Sequence, residues 1–384
     1  MNGDGSILEG NRTVDVVRRI AEEVAAPAAA AVDRDARFPI EAVTSLRLHG
    51  LLGVSVAARE RRVWTVEQLA DAARILGASC SSTGMIWAMH HSQQIAVARH
   101  GAGGPGWDDI RRRLAVGDVL LASVASEGSG DLLASEAALR PEETGLVSVV
   151  KRASTVSFAR DADAFLVSCR PSPDAKPSEV VLAYVWADQC ELTSEGGWNA
   201  LGMRGTASVP VTLTASFPPG QVFDDTFEAI YGATVVPVAH ILWAGCWLGI
   251  AEAALDQART RQRRAHRTTG SAHLELSEAA GSLDGMRALL AEGTRRYDHL
   301  RGTAGPPSLT SVAWFNELKV RASSTATAVV LAALRVVGLT GYLEASPTGL
   351  ARRARDVLSA ELMINNHRLR DANATIELIR RDDT

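Results

Sequence analysis

Close to its C-terminus the chain reads RDVLSAELMINNHRLRDANA, from Arg355 to Ala374. Leu358, Leu362 and Leu369 recur at roughly helical spacing, which predicts an amphipathic helix. Asn365 and Asn366 stand in its middle, where an amide competes with the backbone for hydrogen bonds. Two readings stay open: the amides cap a helix break or bond to a neighbouring helix, or they face a site and bind a polar group. The second is favoured, because two adjacent amides are costly to bury without partners. Glu361, one turn before Ile364, is the nearest carboxylate; it has to point inward to act, whereas an unpaired glutamate usually faces water. In GMIWAMHHSQQ, His90 and His91 titrate near neutral pH and suit general-base work. Adjacent helix residues diverge by ~100°, so only one of them faces any given site. His90, four residues after Ile86 on the apolar side, is the choice; the alternative is a hydrogen-bonded core histidine. Ser126, Ser154 and Thr155 lie on strands or strand ends, where rigid backbone presents hydroxyl donors; the alternative for each is a hydroxyl bonded to local backbone. No histidine–carboxylate cluster has metal-ligand spacing, and no metal is expected.

Three zones must position these groups. From Thr13 to Ala115, apolar residues recur three and four apart, which predicts helices; TVEQLADAARILGASCSSTGMIWAMHHSQQIAVARHG reads as one run, and Pro27 is expected to end or kink the first helix. From Leu120 to Phe223, short valine-rich runs separated by turn residues predict a compact antiparallel sheet or barrel. From Pro237, four long amphipathic helices with short polar connections predict a bundle, the last being the segment after Pro347. The expected class is α+β: an N-terminal helical domain (1–118), a central β domain (119–228) and a C-terminal four-helix bundle (229–384).

Composition bounds the function. The chain has 384 residues, 46% hydrophobic and 22% charged, with a net charge of −4, which argues against nucleic acid as a partner. The apolar run from Ile241 to Ala254 is too short for a membrane span and carries Glu252. No signal peptide is apparent, and four cysteines in apolar contexts fit buried thiols in a reducing cytoplasm.

Four segments carry a resemblance. LLASVASEGSGD has a hydroxyl residue, a glutamate and a glycine–serine turn before an aspartate. KRASTVSFARDADAFLVSCR has a lysine, a hydroxyl residue and Ala-Asp before an apolar strand. WNALGMRGTASVPVTL contains a Leu-Gly-Met-Arg-x-Thr-x-Ser turn, and ALRVVGLTGYLEASPTGLARRARD has Gly-x-x-Gly-Tyr and Arg-Asp elements. In this order the four resemble the acyl-CoA dehydrogenase superfamily of flavoproteins over about two-thirds of the chain. The resemblance implies bound FAD, with FMN possible. It implies that Ser126 and Thr155 contact the flavin, beside Ser154, and that Ser129 and Gly130 lie near a diphosphate. Arg264 and Arg267, in RRAHRTTGSAH where the family has Arg-x-x-Phe-Gly, fall where relatives reach the cofactor of a neighbouring subunit. Arg335 and Gly338 fall where another subunit's loop meets it, and Arg368 where relatives often touch FAD. A homodimer or homotetramer follows from the same likeness.

The family's catalytic glutamate maps onto Ile364, and the alternative position on the first bundle helix maps onto Ala239–His240; neither is an acid. On the favoured reading Asn365 and Asn366 then face the flavin and bind a polar substrate or the ribityl chain. The favoured function is an FAD-dependent dehydrogenase of an unusual acyl or aminoacyl thioester, on coenzyme A or on an acidic carrier protein that docks at Arg61 and Arg62. The alternative is a reduced-flavin-dependent monooxygenase of the same fold, acting on nitrogen, sulfur or aromatic carbon. A non-catalytic scaffold is the third reading.

Overall fold

The computed structural model describes residues 14–57, 63–128, 133–194, 196–270, 272–303, 306–344 and 349–379. Arg61, Arg62, Ser129, Gly130 and Pro347 lie outside the described residues.

The first zone is helical throughout: α1 (14–34), α2 (Ile40–Leu48), α3 (Val66–Ser79), α4 (Ser81–His100) and α5 (Pro105–Val116). Pro27 neither ends nor breaks α1. A π turn over Ala21–Ala25 precedes it, and the Ala26 N–H reaches back five residues to the Ala21 carbonyl. The wider turn makes room where the proline ring would meet the preceding carbonyl. The chain repeats the device at Tyr231–Val235, just before Pro237. The single run expected from Thr65 onward is two helices, because Cys80 is extended (φ −141°, ψ 109°) between small polar residues that offer the backbone other partners. Gly84 then packs directly on Gly77, so α4 folds back tightly along α3.

The central zone holds two sheets. In one, β1 (Leu121–Val124), β4 (Ala164–Cys169) and β5 (Val181–Trp186) lie in the order β1-β4-β5; in the other, β2 (Arg140–Pro141), β3 (Val147–Val156), β7 (Val209–Phe217) and β6 (Cys190–Thr193) lie in the order β2-β3-β7-β6. Pairing is antiparallel, as expected, except for β1 with β4, which is parallel. β3 and β7 pair from Val147↔Phe217 to Ala153↔Val211 and slip before Val156↔Val209, which bulges β3 at Ser154 and Thr155.

The last zone is α6 (Val236–Thr269), α7 (Leu274–Leu300), α8 (Leu309–Val337), α9 (Leu350–Leu358) and α10 (Asn366–Ile379). Short connections make α6 and α8 parallel, and the final segment runs back along α8, with Asn373 bonded to Asn316 and Asn366 to Ser323. Gly245 and Gly249 on α6 let its backbone approach that of α3; a Cβ at Gly245 would stand 2.5 Å from the Ala70 carbonyl. Two helical stretches, Phe227–Arg267 and Leu309–Val337, are long and apolar enough to cross a membrane, against the expectation from uninterrupted runs. Their apolar windows are 83% and 56% buried inside the fold, so that surface is largely spent on the core. The fourth helix, expected to be continuous, is broken between α9 and α10 by a 3₁₀ turn at Ser359–Glu361 and by Ile364 at φ +44°.

Candidate active site

The β3 bulge exposes Ser154 and Thr155. The Ser126 hydroxyl donates to the Thr155 carbonyl at 2.8 Å and accepts the Thr155 N–H at 3.3 Å, while the Ser154 N–H donates to the Ser126 carbonyl at 3.1 Å. All three predicted hydroxyl residues therefore meet at one sheet edge, with the Ser126 hydroxyl occupied by backbone.

Immediately behind that edge is a buried ion pair that sequence reasoning missed. Lys151 Nζ donates to Glu127 Oε1 at 2.5 Å and to Ser168 Oγ at 3.0 Å, and Glu127 also accepts from Ser135 Oγ at 2.6 Å and from the Glu136 N–H at 2.8 Å. Burial works to raise the Glu127 pKa, but these donors outweigh it and hold the carboxyl below its ordinary range. The signal was legible: Val149, Lys151 and Ala153 are the inward positions of an alternating strand, so the lysine had to be buried and paired.

A loop joins this edge to the bundle. The Phe158 N–H donates to the Thr206 carbonyl at 2.8 Å, Ser157 and Ser208 hydroxyls meet at 2.8 Å, and the Gly205 N–H donates to Ser82 Oγ at 3.2 Å. The Met203 N–H donates to Asp356 Oδ1 at 2.6 Å, and Gly202 lies so close to the Arg355 carbonyl that no side chain fits. Burial raises the Asp356 pKa. Arg355 binds Asp33 (2.5 Å), Glu344 (2.8 Å) and the Leu201 carbonyl (2.8 Å). The Leu-Gly-Met-Arg and Arg-Asp motifs are thus one brace across all three zones. Of the five non-glycine residues at positive φ among those described, Phe158, Met203 and Ala207 lie along this path, and such backbone strain clusters at functional sites.

At the helix break the asparagines separate. Asn365 is exposed and caps α10, its Oδ1 accepting the His367 N–H at 2.8 Å. Asn366 is buried; its Oδ1 accepts from Lys319 Nζ at 2.7 Å and its Nδ2 donates to Ser323 Oγ at 3.0 Å. The first of the two open readings, a capped break and a cross-bundle bond, is the one the geometry bears; it corrects the favoured placement of Asn366 toward a ligand, while Asn365 stays exposed at the break. Lys319 is fully buried on α8 and also donates to the Ile364 carbonyl at 3.0 Å. Burial pushes its pKa down to about 8, against the pull of Glu361, which is half-buried. Lys319 too was readable, as a lysine inside the stripe Phe315, Leu318, Ala322, Ala326.

His90 is corrected as well. The Leu121 N–H donates to its Nδ1 at 3.0 Å, so the proton sits on Nε2 and goes to the Leu52 carbonyl at 2.8 Å. Neither nitrogen is free for proton transfer, and burial pushes the pKa down to about 4. His91 donates from Nδ1 to Ser55 Oγ at 3.0 Å, and its Nε2 is buried without a partner. His240 donates from Nδ1 to the Phe315 carbonyl at 2.9 Å.

Arg264, Arg267, Arg335 and Gly338 lie near the C-terminal ends of the parallel helices α6 and α8, the three arginines exposed. Arg335 is sixteen residues along α8 from Lys319, ~24 Å at a rise of ~1.5 Å per residue. Within one chain this group does not meet the helix break. Arg368 is exposed on α10, near the level of the break. Among the described residues no group of His, Cys, Asp and Glu is set to hold a metal ion.

The chain is similar to known proteins over most of its length. A relative, the amino sugar nitrososynthase DnmZ of Streptomyces peucetius, is 26% identical over 92% of this chain and 89% of its own length. Another, the amino sugar nitrososynthase RubN8 of Streptomyces rubradiris, is 27% identical over 87% of this chain and 82% of its own. The fold is shared with FMN-bound TdsC of Paenibacillus sp. A11-2, a dibenzothiophene monooxygenase (TM-score 0.84, 19% identity, 96% and 98% of the two chains). It is shared with KijD3 in complex with FMN and a dTDP-3-amino sugar (0.79, 22%, 100% and 96%). Butyryl-CoA dehydrogenase of Megasphaera elsdenii has it too (0.81, 15%, 97% and 98%). The family description "Acyl-CoA dehydrogenase, N-terminal domain" matches residues 9–103 and "Acyl-CoA dehydrogenase, C-terminal domain" matches residues 241–366, together more than half of the chain. With an α+β fold of helices, mixed sheets and bundle in that order, the chain belongs to the acyl-CoA dehydrogenase superfamily.

Proposed function

We infer that the protein is a flavin-dependent oxidoreductase acting as an oxygenase: with reduced FAD or FMN from a separate reductase, it oxidises the amine nitrogen of an amino sugar. The observation that carries this reading is the helix break. Where the resemblance puts the carboxylate that removes a carbon-bound proton, the chain has Ile364, and its carbonyl is tied to a buried ammonium. Dehydrogenation of an ordinary acyl thioester needs that base; the unusual acyl or aminoacyl thioester favoured from sequence needs it less, and there the relatives weigh against it. Amine oxidation needs instead a neutral nitrogen with a free lone pair, and a nearby cation lowers the pKa of an amine. The two relatives compared over most of their length are amino sugar nitrososynthases, which supports the oxygenase over a thioester or carrier-protein substrate. A nucleoside diphosphate sugar like the KijD3 ligand is the substrate class that follows.

The donor set fits a flavin. The bulge presents the exposed Ser154 and Thr155 side chains to the polar edge of an isoalloxazine, while Ser126 holds the bulge's backbone N–H groups and the Thr155 carbonyl. Reduced flavin supplies activated oxygen. The chain's part is to orient the ring at the sheet edge, wall the site with the helix break and exclude water. Arg264, Arg267, Arg335 and Gly338 take part only through a second copy of the chain, which makes the working form a homo-oligomer.

The test supplies the purified protein with FAD or FMN, a flavin reductase, a dTDP-amino sugar and isotopically labelled oxygen gas. Label in the product nitrogen group is the expected result; turnover of an acyl thioester without oxygen uptake would overturn the reading. Ile364→Glu should lower kcat/KM for the amine at least about tenfold at neutral pH, since an anion within ~4–6 Å raises an amine pKa by about 1–3 units. The loss should shrink as pH is raised, and an unchanged rate would remove the helix break from the site.

A further inference from the structure

The geometry points to Lys319 as a positioning residue: with Asn366 it forms a clamp that holds Ile364 in its left-handed conformation and so fixes the wall between α9 and α10. A β-branched residue at positive φ is costly and persists only when its surroundings impose it. Here the imposing contacts come from one side chain. Lys319 Nζ donates both to the Ile364 carbonyl (3.0 Å) and to Asn366 Oδ1 (2.7 Å), so it spans the strained residue and the first residue of α10. An ammonium only donates, which fixes the Asn366 amide with its oxygen toward Lys319 and its nitrogen toward Ser323 (3.0 Å) and Ser324 (3.4 Å). The Trp247 ring, with its centroid 5.8 Å from Nζ, closes the other side from α6. The charged and titratable groups acting on the clamp are Glu361, Arg370 and His240. The clamp stands whatever the site binds; its consequence for catalysis rests on the oxygenase reading.

Hydrogen exchange on the full-length protein, without flavin, tests the clamp separately from the activity. Lys319→Met should speed exchange of the 362–369 amides at least tenfold while leaving α3 and α4 unchanged. On an Ile364→Gly background, where no strained residue needs holding, the same substitution should change exchange less than threefold. A lysine that merely fills the core would give equal effects on both backgrounds, and that result overturns the proposal, as does unchanged exchange in Lys319→Met. If Lys319→Met does not fold, Asn366→Ala carries the same comparison by removing one arm, with a rise of about threefold expected only where Ile364 is retained. In turnover, Lys319→Met should raise KM for the amine more than it lowers kcat, and Ile364→Gly should restore part of that loss. If the protein proves not to be an oxygenase, the exchange result is unaffected.

Discussion

Acidification from pH 7 toward pH 4 is expected to remove several kcal/mol of stability, with unfolding centred near pH 5. His90 and His240 are fully buried and neutral, each with its pKa pushed down from 6.5 to about 4 by burial. His91 is moved in the same direction, by burial and by His90 beside it. The unfolded chain takes up these protons near pH 6.5 and the folded chain does not. Stability therefore rises with pH across that window and falls as pH drops through it. A displacement of that size is worth about 3 kcal/mol per histidine, against a total of about 5–15 kcal/mol for a typical domain. Glu127, held low by Lys151 and its other donors, adds to the loss at the acid end. Asp356, raised by burial, works against it, because its native carboxyl protonates first. Urea unfolding at pH 7, 6, 5 and 4.5 measures the slope. His240→Gln, which keeps an N–H for the Phe315 carbonyl and does not titrate, should flatten it by roughly a third to a half. Stability unchanged down to pH 4.5 would mean that these rings reach water.

What the sequence disclosed follows from which forces are local. Helix, strand and bundle zones were legible because periodicity reports which face is buried, and burial decides those elements. The breaks were not. Cys80 and Ile364 depart from helical backbone inside runs whose apolar spacing continues across them: at Cys80 small polar neighbours loosen the helix and the Gly84–Gly77 approach accommodates the fold-back, and at Ile364 the contacts are tertiary, from Lys319 and Asn366. Pro27 misled for the opposite reason, since a local rule was met by a local escape, the π turn. The hydroxyls Ser126, Ser154 and Thr155 were placed together because their motif sits on adjoining strand ends. His90 and Asn366 were misplaced because a polar residue on a buried face looks the same in sequence whether it meets a ligand or a backbone carbonyl. The motif residues that best marked the family, Gly202, Met203, Arg355 and Asp356, are used to brace the zones.

That pattern makes the buried pair behind the sheet edge the strongest structural test. Lys151→Met should cost about 3–5 kcal/mol, because removing one partner leaves the Glu127 charge in a dry interior. Glu127 retains only Ser135 and the Glu136 N–H, and it can escape the cost by taking a proton. The destabilisation should therefore be largest near neutral pH and shrink below about pH 5. Glu127→Gln combined with Lys151→Met should recover more than half of the loss, since a neutral amide keeps the Ser135 and Glu136 bonds with no unpaired charge. The same pair also reaches the site. Glu127 follows Ser126 in the chain, and Lys151 lies on the strand that ends in the bulge at Ser154 and Thr155, so a relaxed pair should weaken flavin binding about tenfold in the single variant and less in the double. Urea unfolding and flavin fluorescence titration read the two effects separately. A single variant within 1 kcal/mol of the parent would show that the ion pair is solvated and that the sheet edge is held by the Ser126–Thr155 bonds alone.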